Sequence, residues 1–337
     1  MPIPVTVCDD STLARKQIAR SLPDYWDIDL SFAENGLEGL ECVRNGQAEV
    51  LFLDLTMPEM DGYQVLEHIF KEQLATNVIV VSGDIQAAAR ERVMSLGALA
   101  FIRKPADADQ LAMILHENGL LPDAAEASAP VNSVIESIKD APIPLRDSYQ
   151  EIANVAMGQA AELLAKLLDA FVVLPIPNVN TIEVADMQMT LQSIERHGTV
   201  SSVCQGFIGN GVAGEALLIF NDSSFKDIAE LMRFDGVLDR NVELELLMDI
   251  ASILIGAFLK AFADQLDMQF SQGHPIILGQ HCNIGELIKP ENVTWKETLA
   301  IEILYTIEGY SVNCELLILF SEDSIEELNH RVSFYSS

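Results

Sequence analysis

The sequence is poor in cysteine and in positive charge. Its 337 residues include five cysteines, and no two of them form a CxxC pair, which argues against a disulfide framework and against a structural zinc site. Lysine and arginine together number 20 against 51 acidic residues, so the formal net charge is -31 at pH 7. Such a chain repels the polyanionic backbone of nucleic acid. We therefore expect a protein of the reducing cytoplasm that does not bind nucleic acid.

Signals for membranes and for histidine-bound metals are also missing. The N-terminus "MPIPVTVCDD" has no basic segment leading into an apolar one, and the most apolar later stretch, residues 246–263, contains Asp249 and Lys260. We expect no membrane partner. The six histidines include no HExxH or similar spacing, and we expect His274 and His281 to lie in loops.

The length suits about two domains, each able to bury its own core. A stretch rich in Ala, Ser, Pro and Asp, "LLPDAAEASAPVNSVIESIKDAPIPL", is typical of a linker. We predict a first domain over residues 1–121, a linker over 122–145 with one short helix near 131–139, and a second domain over 146–337.

Short apolar runs alternate with amphipathic segments in the first domain. The runs are "IPVTVC", "DIDLSF", "VLFLDL", "NVIVVSG" and "ALAFIRK". This rhythm predicts an α/β fold with a five-stranded parallel sheet and helices on both faces. Ligands of such sheets bind at the carboxyl ends of the strands.

Polar side chains follow the predicted strands at that edge: Asp9, Asp10, Asp54, Ser82 and Lys104. The three carboxylates repel one another unless a hard cation such as Mg²⁺ joins them. A phosphoryl group on the third aspartate would then meet the metal, a hydroxyl and an ammonium. The pattern predicts a site that forms an aspartyl phosphate.

Taken singly, these residues have ordinary alternatives. Asp10 is also suited to cap the following helix, Ser82 to a turn, Lys104 to a solvated surface, and Phe101 to core packing. Their joint occurrence in strand order favours the phosphorylation site.

The motifs "VCDDS", "LFLDLTMPEMDG", "VVSGD" and "FIRKPAD" resemble the flavodoxin-like (βα)5 receiver domain of bacterial response regulators, over residues 3 to about 118. The resemblance implies that Asp54 accepts phosphate from a histidine kinase or phosphotransfer protein. It also implies that Asp9 and Asp10, with Asp54, hold Mg²⁺, and that Ser82 and Phe101 form the conformational switch.

The second domain contains an internal repeat, over about 146–235 and 244–332. At an offset of 100, "EALLIFNDSS" (215–224) aligns with "ELLILFSEDS" (315–324), and further matches occur at an offset of 98 in the preceding helices. We predict a duplicated unit of helix, strands and helix with pseudo-twofold symmetry.

The helix "EIANVAMG" (151–158) carries Glu151 and Asn154 on one face. Asp147 with Gln150 is typical of a capping box that opens this helix, and Glu151 alone would suit the helix dipole. Asn154 is a poor helix former among small residues. Its amide has both the donor and the acceptor needed to orient one water molecule.

The order D-x3-E-x2-N-x22-P, formed by Asp147, Glu151, Asn154 and Pro177, resembles the signature of the CheC, CheX and FliY phosphatases of bacterial chemotaxis. The resemblance implies that Glu151 pairs with the lysine of a phosphorylated receiver while Asn154 aims water at the acyl phosphate. The metal would belong to the substrate receiver, a phosphorylated response regulator.

The second repeat departs from that signature. Glu245, Asp249, Ser252 and Pro275 keep the spacing, but aspartate replaces glutamate and serine replaces asparagine. We expect a degenerate second site at Asp249 and Ser252 whose residues mainly pack.

Three functional hypotheses follow. In the first, phosphorylation of Asp54 gates an output domain that dephosphorylates a partner receiver. In the second, the output domain only binds a receiver or forms a homodimer. In the third, it removes phosphate from the receiver of its own or a sister chain.

Overall fold

The computed structural model describes residues 2–121, 143–183, 199–283 and 297–336, and its contacts divide the chain into two compact units, 1–151 and 152–337. The helix expected near 131–139 lies outside the described residues. Each unit is built around its own sheet.

The first unit contains a parallel sheet with the order β2-β1-β3-β4-β5. Its strands are β1 Ile3–Cys8, β2 Ile28–Ala33, β3 Val50–Leu53, β4 Asn77–Ser82 and β5 Ala100–Arg103. Its intervening helices are α1 Thr12–Ser21, α2 Gly36–Arg44, α3 Gly62–Glu72, α4 Ala87–Ser95 and α5 Ala108–Glu117. The predicted five-stranded parallel sheet is confirmed, and its order is that of a flavodoxin-like fold.

Both faces of this sheet are buried, which explains the unbroken apolar runs in its strands. In β3, Phe52 joins one core cluster while Leu51 and Leu53 join the cluster on the opposite face, and all three are fully buried. Alternation along the strand therefore distributes large side chains to two cores.

Side-chain caps fix where the helices begin. Ser11 Oγ accepts from the Ala14 N–H at the start of α1, so the alternative role of Asp10 as that cap is wrong. Asp61 and Gln64 form a capping box at the start of α3, a pairing that satisfies two otherwise unpaired N–H groups. These caps place the strand-to-helix loops in which the polar residues lie.

Helix α6, Leu145–Leu168, crosses the division, with Glu151 as the last residue of the first unit. It begins earlier than Asp147 predicts, because the Ser148 N–H donates to the Pro144 carbonyl at 3.2 Å. Asp147 therefore lies in the first turn and is not the cap.

The second unit combines helices with a sheet whose described strand pairs are all antiparallel. The sheet order is β10-β8-β9-β13-β12-β6, with β11 beside β8 and β7 beside β12. After α6 come β6 Val172–Val173, β7 Asn178–Glu183, β8 Val200–Gly209, β9 Val212–Asn221 and α7 Phe225–Leu231. Then follow α8 Arg240–Gln265, β10 Ser271–Gln272, β11 Ile276–Cys282, β12 Glu297–Ile307, β13 Asn313–Phe320 and α9 Ile325–Tyr335.

Helix α8 packs on β8 and β9. Aromatic side chains fill the core between this helix and the sheet. Phe258 and Phe262 are fully buried, and the Phe262 ring lies 5.5 Å from that of Phe320. Among the described helices, α8 alone is long and apolar enough to cross a membrane, but 61% of that window is buried. Buried core helices pass the same test, so its apolar composition is explained by packing.

His281 lies on β11, so its predicted place in a loop is wrong. The strand register shifts between Gly279 and Cys282, and His281 has a φ of 53° at this irregularity. Such bulges redirect a side chain. Here the ring places Nδ1 2.9 Å from Asp222 Oδ2 and Nε2 2.8 Å from Glu243 Oε2.

Two ionised carboxylates can only accept hydrogen bonds, so His281 satisfies both as an imidazolium. Burial lowers the pKa of His281, but the hydrogen bonds and charges of Asp222 and Glu243 outweigh burial and raise it above its ordinary value. The cation thus links β11, the end of β9 and the first turn of α8.

We predict that the second unit loses stability as pH rises through the raised pKa of His281. The stabilisation is fully present below the unfolded value of about 6.5 and disappears when the folded imidazolium deprotonates. His281→Gln should cost about 2 kcal/mol at pH 5.5, the scale of hydrogen bonds to charged groups, and should flatten the pH dependence. Urea unfolding at several pH values measures both effects.

His274→Gln is the matched control, because His274 is an exposed residue outside the strands. Its unfolding free energy should follow that of the unsubstituted protein. An unchanged pH slope in His281→Gln would contradict the role of this imidazolium.

Candidate active site

The predicted polar residues of the first unit meet at the carboxyl edge of its sheet. Asp9 and Asp54 directly follow β1 and β3, which pair from Val5↔Val50 to Cys8↔Leu53. Ser82 ends β4 beside Arg103, the residue before Lys104. The parallel registers therefore bring the ends of four strands to one place.

Asp9, Asp10 and Asp54 form a carboxylate cluster whose facing oxygens lie within 4.8 Å of one another. Backbone amides hold the two buried members: the Ser11 N–H donates to Asp9 Oδ1 at 2.9 Å, and the Thr56 N–H donates to Asp54 Oδ2 at 3.1 Å. Each donor comes two residues after its carboxylate. The remaining oxygens, Asp9 Oδ2 and Asp54 Oδ1, are buried and accept no well-directed hydrogen bond from the described residues.

Lys104 is the cation of this pocket. Its Nζ lies 2.7 Å from Asp9 Oδ2, 3.3 Å from Asp54 Oδ1 and 3.3 Å from Glu151 Oε1. All four side chains are almost fully buried. A contact between Lys104 and Glu151 joins residues 47 positions apart, so the structure brings the first residue of "EIANVAMG" onto the lysine of the first constellation.

Burial and mutual repulsion shift the pocket towards protonation. Burial, reinforced by Asp9, raises the pKa of Asp10 to about 7, although Lys104 opposes the change. Burial also raises the pKa of Asp54 and of Glu151, and Lys104 again opposes both shifts. Burial would lower the pKa of Lys104, but Asp54, Asp9 and Glu151 outweigh it and raise that pKa well above its usual range.

The donor set fits Mg²⁺. Three carboxylates converge, two of their buried oxygens lack directed hydrogen bonds from the described residues, and the Lys104 ammonium lies beside both. Mg²⁺ prefers a few carboxylate oxygens and leaves its other positions to water and phosphate. Asp9, Asp10 and Asp54 are the residues that would hold it.

Two glycines and a hydroxyl shape the surroundings. A Cβ on Gly62 would lie 2.2 Å from the Asp54 carbonyl oxygen, so only glycine lets α3 begin this close to Asp54. Gly36 is similarly confined by the Met60 carbonyl, at 2.3 Å. Ser82 is fully buried and its Oγ accepts from the Asp84 N–H at 3.1 Å.

Phe101 is partly buried against the core cluster of Leu51, Leu53 and Val80. It is therefore neither fully packed nor free in solvent. The switch role of Ser82 and Phe101 stays a prediction.

Asn154 follows Glu151 by one helical turn in α6 and is 7% exposed. Residues three apart project from the same side of a helix. The equivalent positions of α8 differ: Asp249 and Ser252 are exposed, and Ser252 Oγ donates to the Met248 carbonyl at 2.7 Å. That bond occupies the hydroxyl proton within the helix itself.

A family model of the response regulator receiver domain matches residues 5–116. This part of the chain is therefore a receiver domain, as predicted.

Curated relatives share part of the chain. A protein-glutamate methylesterase/protein-glutamine glutaminase of Koribacter versatilis is 40% identical over 115 residues, which cover 33% of this chain and 31% of that protein. A protein of the same description from Symbiobacterium thermophilum is 33% identical over 158 residues, covering 46% and 43%. The chain spans less than half the length of either relative.

Among solved structures, Thermotoga maritima FliY is similar in fold. The likeness covers 57% of this chain and 96% of FliY, with 17% sequence identity and a TM-score of 0.42.

We predict that Asp54→Asn abolishes labelling by acetyl phosphate in Mg²⁺, because the amide is not a nucleophile. Chelation of Mg²⁺ should suppress labelling of the unsubstituted chain, since the clustered charges then lack their cation. Phosphate incorporation measured on the full chain tests both.

Asp29→Asn removes an equal charge from an exposed position of β2 and should label normally. Persistent labelling of Asp54→Asn would place the phosphoacceptor at another aspartate.

Proposed function

We propose that this chain is a response regulator whose receiver is phosphorylated at Asp54 and whose helix α6 belongs to an aspartyl-phosphate phosphatase of the CheC, CheX and FliY type. The supporting observation is that Glu151 Oε1 lies 3.3 Å from Lys104 Nζ. The resemblance implies that this glutamate binds the lysine of a receiver domain, and Lys104 belongs to the receiver domain of this chain. A histidine kinase or phosphotransfer protein would supply the phosphate.

The charge of Glu151 favours a functional contact over simple packing. Its carboxylate adds to a buried pocket that already holds Asp9, Asp10 and Asp54. A buried ion pair gives little net stability over an apolar replacement, whereas loss of one partner costs about 3–5 kcal/mol. A neutral side chain would therefore serve a purely structural role at lower cost.

The proposed reaction needs only water. Its oxygen attacks the phosphorus, the bond between phosphorus and the Asp54-type carboxylate oxygen breaks, and that oxygen keeps the electron pair. The acyl phosphate dianion and water thus yield a carboxylate and dihydrogen phosphate. Asn154 would accept a hydrogen bond from the water and orient it, which is catalysis mainly by position. Mg²⁺, when bound by the receiver, supplies charge neutralisation at the phosphoryl group.

We also propose that the second unit is a duplication. Leu217 pairs with Leu317 at the centre of the contact between β9 and β13, and these are equivalent positions at the offset of 100. Strands that meet at equivalent positions in antiparallel register are related by a local twofold axis.

A binding module without catalysis is the main alternative. It requires the contact of Glu151 but gives Asn154 no role. The matches to the curated methylesterases cover only 31% and 43% of those proteins, so they do not support that activity for this chain.

We predict that Asn154→Ala lowers hydrolysis of a phosphorylated receiver by on the order of 100-fold or more, since the water loses its orientation. The helix should persist because alanine is the best helix former, and far-ultraviolet dichroism checks this. Loss of labelled phosphate, from this chain or from candidate response regulators, measures the rate.

Gln159→Ala removes an amide from the same helix on a different side and should leave the rate nearly unchanged. If Asn154→Ala hydrolyses every tested phospho-receiver at the unsubstituted rate, the binding module replaces the phosphatase.

We predict that Ser252→Ala leaves the hydrolysis rate within about threefold, because its hydroxyl already donates to Met248 and lacks the paired groups of an amide. The same phosphate-release measurement applies. A large loss would move the active site to α8.

A further inference from the structure

The contact between Lys104 and Glu151 bears on which receiver is the substrate. Both side chains are 3% exposed, and Lys104 Nζ also donates to Glu151 Oε2 at 3.5 Å. The glutamate that would hold the lysine of a substrate is therefore already bound to a receiver lysine of the same chain.

We infer that the aspartyl phosphate on Asp54 of this same chain is the substrate of helix α6. The inference rests on the proposed phosphatase function and specifies its substrate. Lys104 lies 3.3 Å from Asp54 and 3.3 Å from Glu151. One ammonium thus contacts both Asp54 and Glu151, and Asn154 is the next polar residue after Glu151 in the sequence.

Competition favours the tethered lysine over a lysine of another protein. A group joined through a chain acts at an effective concentration on the order of mM. A partner receiver at about 1 µM would therefore be disfavoured by roughly 1000-fold for the same glutamate, if the two lysines bind equally well.

Hydrolysis of the aspartyl phosphate at Asp54 is compatible with the contact between Lys104 and Asp54. Attack of water on the phosphorus breaks the bond to the Asp54 oxygen, which keeps the electron pair, and releases dihydrogen phosphate. The product carboxylate is the group that Lys104 contacts in the structure.

The test follows decay of the phosphate on the full chain. The protein is labelled with radioactive acetyl phosphate in Mg²⁺, the donor is removed, and bound label is timed over a 100-fold range of protein concentration. We expect one first-order rate constant at every concentration. Asn154→Ala should slow it by on the order of 100-fold, and Glu151→Gln by about tenfold or more.

Glu162→Gln is the charge control, because Glu162 forms an exposed pair with Lys166 on the same helix. Its decay should match that of the unsubstituted chain. Asn154→Ser provides a second variant at the polar position and should also decay slowly, which separates loss of the amide from a fold defect peculiar to alanine.

A mixing experiment separates the two proposals. Labelled Asn154→Ala keeps its receiver, whereas unlabelled Asp54→Asn keeps its helix but carries no label. We expect that micromolar Asp54→Asn does not accelerate decay on the first chain. Acceleration in proportion to its concentration, together with a concentration-dependent rate for the unsubstituted chain, would overturn the inference while supporting the phosphatase.

Equal decay of Asn154→Ala and the unsubstituted chain would likewise overturn it. The phosphatase function would then survive only if Asn154 proved necessary for hydrolysis of a partner response regulator. If Asn154 affected neither substrate, both proposals would fail.

Discussion

The charge balance around one buried ammonium governs the candidate site. Lys104 lies 2.7 Å from Asp9 and 3.3 Å from both Asp54 and Glu151. At an effective dielectric constant of about 20, one pair of unit charges 4 Å apart interacts by about 4 kcal/mol. The same scale applies to repulsion between the carboxylates. Burial, reinforced by repulsion from Asp9, raises the pKa of Asp10 to about 7, although Lys104 opposes the shift. The pocket thus contains more carboxyl groups than one lysine can neutralise when they are ionised, a condition that favours binding of a divalent cation.

Parallel strand pairing made most of this pocket predictable from the sequence. In a doubly wound sheet the strand order and direction place the residues after β1, β3, β4 and β5 at one edge. Asp9, Asp54, Ser82 and Lys104 could therefore be grouped before any distance was known. The unbroken apolar runs indicated strands that are buried on both faces, as is typical of a parallel sheet.

The contacts that sequence reasoning missed join distant segments. Glu151 reaches Lys104 across 47 positions, and a pattern of local periodicity carries no information about such closure. His281 meets Asp222 and Glu243 from separations of 59 and 38 residues, with no metal-like spacing to mark it. The start of α6 differs from the prediction for another reason: Asp147 has cap chemistry, but the Pro144 carbonyl already accepts the Ser148 N–H. Local propensities place helix ends only to within a few residues.

A shared lysine also constrains how long a phosphate can persist. The phosphoryl group adds one negative charge to Asp54, so the attraction between Lys104 and that side chain becomes stronger. The buried carboxylate of Glu151 still requires a positive charge beside it. Mg²⁺ on the carboxylates would offset the repulsion between Asp9 and Asp54 and leave the ammonium to the phosphoryl oxygens and to Glu151. If Asp54 of the same chain is the substrate, Lys104 would contact both the phosphorylated side chain and Glu151 of the helix that removes the phosphate. The lifetime of the signal would then be a property of one chain, set by the geometry of Asn154, and would not depend on the concentration of a separate phosphatase.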